Sequence, residues 1–487
     1  MFYSKRLFSL AFGFLFTLSG FKADAQVVFE HISNTSIYEY LDEAANLGYI
    51  ELNSAVKPYS RMFIYEKLNE IQLVKEKLNK RQLQELEFFM KGYIKESRKK
   101  EKRLDFLGKG LKSKKVFPFK NRDKRYDLFF YSDTNFTITI NPLGGGTAYY
   151  NENGFNAHRY VGAEMFGYAW KFGFYGSLRD HFEIEYLSDP IYLTQRSSAL
   201  AKGKPGESRE YSEARGGFSV SYKGVTLGVM KDHITWGNNY HGSNIHGARN
   251  PSFPMVFLQI KPLKWFEVNY FHGWLSSEVL DSSRTVQYAT GRQRNFIPKF
   301  IAANLYTFKP FKKFYLSLGN SIVYTEQINP AYFIPFLFWK SVDHSGSRNS
   351  NSQMFIDISS RNIKKNHLSF TMFIDEINFS NITNKEKHSN WWSFKGSWRY
   401  SNFVPNFFFT AEYTYTAPMV YKHFIPSTTY ETTNFNMGHY LRDNSQEIFV
   451  MLEWKPLPRL KTYLEYTFAN KGEDNPDDRE TINPATG

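Results

Sequence analysis

From residue 127 to about residue 469, apolar and polar residues alternate with a period of two. In the stretch Phe407 to Ala417, one parity reads Phe407, Phe409, Ala411, Tyr413, Tyr415, Ala417, and the other reads Phe408, Thr410, Glu412, Thr414, Thr416. Successive side chains on a strand point to opposite faces, so this segment has one apolar face and one face that needs polar partners. About ten residues of such alternation is the length of a transmembrane β-strand. The pattern recurs near 127–140, 146–152, 157–168, 170–184, 213–223, 224–233, 254–263, 264–276, 297–309, 312–325, 352–361, 366–377, 391–401, 405–417, 445–456 and 459–469. Leu368, Phe370, Met372 and Ile374 oppose Ser369, Thr371 and Asp375. Phe314, Leu316, Leu318, Ile322 and Tyr324 oppose Tyr315, Ser317, Gly319, Ser321 and Thr325. Leu464, Tyr466 and Phe468 oppose Tyr463, Glu465 and Thr467. The apolar sets are expected to face lipid and the polar sets a lumen.

The connections fall into two tiers. Tight ones stand at Lys223-Gly224, Pro262-Leu263, Pro310-Phe311, Lys364-Lys365 and Pro456-Leu457-Pro458. Long ones span 185–212, 234–253, 277–296, 326–351, 378–390 and 418–444. Short periplasmic turns and long cell-surface loops are the rule for outer-membrane barrels. The fold class expected is therefore mainly β, a transmembrane antiparallel barrel of about 16–18 strands occupying residues 127–487. Trp391, Trp392, Trp398 and Tyr400 read as an interfacial aromatic girdle. Tyr332 to Trp339 fits either a lipid-facing strand or a loop plug. The polar tail after Asn470 offers no closing strand, and the expectation is that the last strands are missing.

Upstream the period changes to that of helices. Tyr38, Leu41, Ala45 and Leu47 precede Gly48, Ser60 is placed to cap a second helix, and Lys80–Lys95 carries Leu83, Leu86, Phe89 and Met90. Residues 26–97 are thus a small helical module, expected to sit against the periplasmic turns and available there to a periplasmic partner. Lys5-Arg6, the apolar run Leu7 to Phe16 and Ala23-Asp24-Ala25 form a secretory signal, so residues 1–25 are expected to be cleaved and the chain exported to the outer membrane.

Charge changes the picture little. Of the formal net charge of +14, +10 sits between Lys95 and Arg125, where 14 basic residues face 4 acidic ones. Residues 98–126 read as a basic linker, solvated or touching lipid phosphates. The remainder is nearly neutral and carries no nucleic-acid motif. Aromatic residues make up 18% of the chain and cysteine is absent, which excludes disulfides and thiolate chemistry.

The densest polar–aromatic cluster is the connection after residue 231: Asp232, His233, Trp236, Asn238, Asn239, Tyr240, His241, Asn244, His246 and Arg249. Aromatic rings accept the C–H faces of sugars, and Asn, Asp and Arg pair with hydroxyls, so these are candidate glycan contacts. The same residues suit a loop packed as a lid on the lumen. His233, His241 and His246 have spacings that match no common metal-ligand pattern, so no metal or cofactor is expected. Asp375 and Glu376 are adjacent on a strand and cannot act as a paired acid and base. Asp375, Glu412 and Glu465 read as structural carboxylates of the lumen. No Ser-His-acid arrangement stands out, and the expectation is a non-enzymatic protein.

Several stretches together resemble the capsule assembly Wzi family of outer-membrane barrels. They are YEYLDEAANLGYIELN (Tyr38 to Asn53) followed by Pro58-Tyr59-Ser60-Arg61, LGVMKDHITWGNNYHGSNI (Leu227 to Ile245) with Asn250-Pro251, Asn329-Pro330-Ala331-Tyr332-Phe333, Asp375-Glu376, and AEYTYTAPMVYKH (Ala411 to His423). The resemblance covers about residues 34–487, with Asp375-Glu376 standing where an Asp-Asp pair is more usual. It implies a plugged barrel with a periplasmic helical module that binds capsular or other surface polysaccharide and holds it at the outer membrane. The barrel alone leaves a porin or solute-specific channel as the alternative.

Overall fold

The computed structural model describes residues 27–97, 103–106, 109–110, 125–152, 154–183, 209–288, 291–346, 349–377 and 390–473. The signal segment, most of the basic linker, most of the connections 185–212 and 378–390, and the tail beyond 473 lie outside them.

The period-two stretches are strands of one continuous antiparallel meander. We number them β1 (Arg103–Phe106), β2 (Phe129–Ser132), β3 (Phe136–Asn151), β4 (Gly154–Ala169), β5 (Phe172–Glu183), β6 (Arg209–Tyr222), β7 (Val225–Asp232), β8 (Phe253–Leu263) and β9 (Phe266–Leu275). They continue as β10 (Lys299–Phe308), β11 (Phe314–Thr325), β12 (Ser350–Ser360), β13 (Asn366–Glu376), β14 (Trp391–Ser401), β15 (Phe407–Thr416), β16 (Ser445–Leu457) and β17 (Leu460–Lys471). Each pairs with the next, and the sheet rolls into a barrel. No helix among the described residues is long and apolar enough to cross a membrane. Burial alternates as the sequence demands: along β15 the residues of even number, from Phe408 to Thr416, are buried, while Tyr413 is exposed.

Two boundaries differ from expectation. The segments 127–140 and 146–152 are not two full strands: the chain turns at Asp133, which accepts from the backbone N–H of Asn135 and Phe136, and then runs unbroken through β3. Arg103–Phe106, within the stretch read as a linker, adds β1 to the sheet by pairing with β2. At the other end, β17 pairs with β16 and is exposed on both faces, so Tyr463, Glu465 and Thr467 point inward without being enclosed.

The tight turns named above lie at one end of the barrel and the long connections at the other, where the short β3–β4 turn also stands. Lys223 and Gly224 both take positive φ, the two-residue turn whose twist matches the flanking strands. Three helices cap the tight-turn end: α1 (Thr35–Asn46), α2 (Arg61–Gln72) and α3 (Lys80–Tyr93). Gly48 follows α1 at φ +82°, Ser60 caps α2 by accepting from Phe63, and Asn79 with Gln82 makes a capping box on α3. Their mutual core of Leu41, Ile64, Leu68, Leu86 and Phe89 is small, and polar contacts join the module to the turns. Arg361 pairs with Asp42 at 2.7 Å, Arg81 donates to Asn406 at 2.8 Å, and the Arg459 backbone donates to Glu85 at 3.1 Å.

The lumen is filled by the chain itself. Residues 27–29, Trp236, Ile245, Val420, Tyr421, Tyr430 and Met437 form one apolar cluster with the inward residues Phe271, Phe355 and Phe373. Thus two of the long connections, 233–252 and 417–444, turn inward rather than standing as free cell-surface loops. They bind each other: Tyr421 and Tyr430 donate to the carbonyls of Asn244 and Ile245, and Gly247 donates to that of Met437. A two-residue ladder, Val56–Lys57 against Thr235–Trp236, joins the first of these loops to the N-terminal segment.

Tyr332 to Trp339 is neither a strand nor a plug. It straps across the outer wall, with Tyr332 and Trp339 buried on Tyr270, Phe300, Ala302, Ile322 and Tyr324. Ile322 and Tyr324 therefore have the lipid-facing parity expected of them but are covered by protein. Outward-facing Asn304 donates to the carbonyls of Pro335 and Leu337, and Asn320 accepts from the Trp339 backbone at 3.0 Å. Irregular backbone at membrane depth needs such partners, and those asparagines need the strap. Phe336 remains 60% exposed on the strap's outer side. Near the tight turns, Trp398 and Tyr400 stack at 6.4 Å and join Phe403, Phe407 and Trp454 in an outer aromatic band.

Candidate functional site

The loop singled out by composition folds as a plug, and its residues divide among several places. Asp232 and His233 end β7 inside the wall: Asp232 accepts from Arg215 at 3.1 Å and Tyr175 at 2.7 Å, and His233 meets Glu213 at 2.5 Å. Trp236 is buried edge-on to Phe271 and Phe355. Asn244 donates to the carbonyl of Ser393 at 3.1 Å, and the Arg249 guanidinium lies 4.1 Å from the Tyr440 ring centre.

The tip, Asn238 to His241, reaches through the lumen toward the helical cap. There it borders a cavity of about 340 Å³ shared with α1, Arg399, Phe449, Glu453 and Glu465. Asn238 binds the buried carboxylate of Asp357 through both its backbone and side-chain N–H groups and accepts from Ser54 at 2.6 Å. Thr371 donates to Asn239 at 3.0 Å. Glu412 accepts the backbone N–H groups of Tyr240 and His241 at 2.7 and 2.9 Å while holding Lys395 at 2.9 Å. Tyr240 donates to Asp42 at 3.1 Å, and Asp42 also pairs with Arg361. Gly237 makes the tip possible. It sits at φ +110°, and a Cβ there would fall within 3 Å of Asn239 and Ser243 side-chain atoms.

Electrostatics in the plug follow from burial. Desolvation lowers His241 to about 4 and His246 to about 3, so both imidazoles are neutral at physiological pH. His241 stacks on Phe449 at 4.0 Å, and His246 lies among Phe253, Phe271 and Tyr430. Asp42 is held below the ordinary carboxylate range: burial would raise it, but the cations led by Arg361 outweigh that effect. Of the three carboxylates assigned to the lumen, Glu412 pins the plug, Glu465 borders the cavity, and Asp375 is buried beside Lys340, whose ammonium donates to its backbone carbonyl.

This is a cavity of charged pairs and aromatic faces beneath a fixed plug. Sequence reasoning missed its α1 and wall contributors: Asp42, His367, Arg399 and Glu453 show no local motif, because strand register and the module's docking bring them together.

No family model and no curated protein matches the chain. Among solved structures it is similar to Wzi, an outer membrane protein of Escherichia coli involved in group 1 capsule assembly and described as a carbohydrate-binding β-barrel. Identity is 13% over 95% of this chain and 88% of that one, with a TM-score of 0.51. The chain shares the Wzi fold. Pseudomonas aeruginosa OccK9 (OpdG) and Acinetobacter baumannii OccAB2 match at 10% identity, covering 69% of this chain and 93% and 91% of theirs, with TM-scores of 0.31 and 0.30. The Wzi likeness spans the helical module as well as the wall, since only 5% of the chain falls outside it.

Proposed function

We propose that this Wzi-like barrel binds surface polysaccharide and holds it at the outer membrane without chemical turnover. The observation that carries the reading is the lumen: two loops and the N-terminal segment fill it, and the first of these loops is bonded to the wall at Asp357, Glu412 and Ser393. A barrel built to pass solutes needs an open path, whereas one built to hold a polymer needs a rigid platform. Glycan contact by aromatic faces and Asn, Asp and Arg hydrogen-bonding groups is chemically suited to such a platform. Cleavage of a signal at residue 25, and a periplasmic partner on the outer side of α1–α3, belong to the same reading.

Purified protein titrated by calorimetry with the producing cell's own polysaccharide tests it. Saturable heat with that polymer and none with an unrelated one is expected. No heat, together with unchanged polysaccharide retention on cells lacking the gene, contradicts it. Open conductance of the unmodified barrel would move the assignment to a channel.

A further inference from the structure

At the long-loop end of the lumen, the N-terminal segment and the neighbouring strands β6 and β7 bring together buried metal-ligating side chains. His31 comes from the N-terminal segment, Glu213 from β6 and His233 from the start of the plug loop. One ligand atom of each lies within 4.8 Å of those of the other two. Sequence spacing does not reveal this group, because His31 reaches Glu213 and His233 only through the fold.

We propose that His31, Glu213 and His233 form a binding site for a first-row divalent cation, zinc being the best fit to two imidazoles and one carboxylate. The second observation is polar atoms left over in a dry place. His31 Nε2, His233 Nδ1 and the Nε2 of neighbouring His181 are buried and have no hydrogen-bond partner among the described residues. Orphaned buried nitrogens of this kind are uncommon, and a cation is one way to satisfy them. His181 stands close behind, its Nε2 3.7 Å from Glu213 Oε2 and its Nδ1 3.0 Å from His158 Nε2, as a further nitrogen beside the three. Ligand atoms around a tetrahedral zinc at 2.0–2.2 Å lie roughly 3.3–3.6 Å apart, so closure needs shifts of about 1 Å.

Arg215 is paired with Asp232 and Arg179 donates to Ser33 at 2.9 Å, while Glu213 already meets His233 at 2.5 Å, a contact that a shared cation would open. A bound cation would tie wall, plug and N-terminal segment at one point.

The full chain, purified in detergent and dialysed against zinc chloride, would be assayed for metal by mass spectrometry. About one zinc per chain is expected, kept by His423→Gln and weakened at least 10-fold by Glu213→Gln and by His31→Asn. Cobalt(II) loading of the unmodified chain gives a second readout that requires no variant: tetrahedral d–d absorption is expected. Absence of both zinc and that absorption overturns the site, leaving a hydrogen-bonded histidine cluster. Zinc retained undiminished by the folded variants overturns it too.

Discussion

Lys395 and Glu412 face each other across neighbouring strands, 2.9 Å apart and wholly enclosed. A buried pair gains little over well-packed apolar groups, but removing one member strands the other's charge. Lys395→Met should therefore destabilise the barrel by about 3–5 kcal/mol, read as a lowered urea midpoint in detergent, and adding Glu412→Gln should restore part of that loss. No restoration would mean that Lys395 acts chiefly through its bond to the His241 carbonyl. At this scale the sequence conveyed a residue's face but not its partner. The inward parity of Glu412 was legible in Phe407 to Ala417, whereas its use as an acceptor for Tyr240 and His241 was not, because that contact depends on a loop 171 and 172 residues away in the chain turning back onto it.

Single elements show how polar residues on the wrong face identify a cover. Asn304 and Asn320 project outward, where lipid would penalise them, and the strap ending at Trp339 satisfies them. Trp339→Ala should cost about 3–5 kcal/mol, seen as a lowered heat-modifiability midpoint, while Phe336→Ala on the exposed side should cost far less. Equal effects would contradict the strap's orientation. The strap was ambiguous in sequence because its apolar run has neither period, and only the outward asparagines of β10 and β11 could have indicated where it lies. The plug makes a pH prediction. His241 and His246 stay neutral in the fold, to about 4 and 3, whereas an unfolded histidine takes up a proton near 6.5. The unfolded state then binds more protons, so stability falls as pH drops from about 6.5 toward 4 and levels off below the folded values. His246→Phe should flatten that slope in thermal melts taken from pH 7.5 to 4; an unchanged slope would place the titration elsewhere.

The whole molecule is a wall, a helical cap and an internal filling. The wall was legible because period-two alternation and the two tiers of connections leave few alternatives. The cap was legible as helices, and its place follows from polar groups such as Asn406 and Arg361 on the tight turns. The filling was not, because long loops on a barrel read alike whether they stand in solvent or fold inward; the composition of the Trp236 loop suits a glycan grip and a lid equally, and its bonds to Asp357 and Glu412 make it a plug. That filling is the central claim, and planar-bilayer recording of the purified chain tests it directly. The unmodified protein should give no stable ion-conducting steps, and deletion of residues 234–250 should produce them. Steady open conductance from the unmodified chain would contradict a filled lumen and, with it, a barrel that holds rather than passes its ligand.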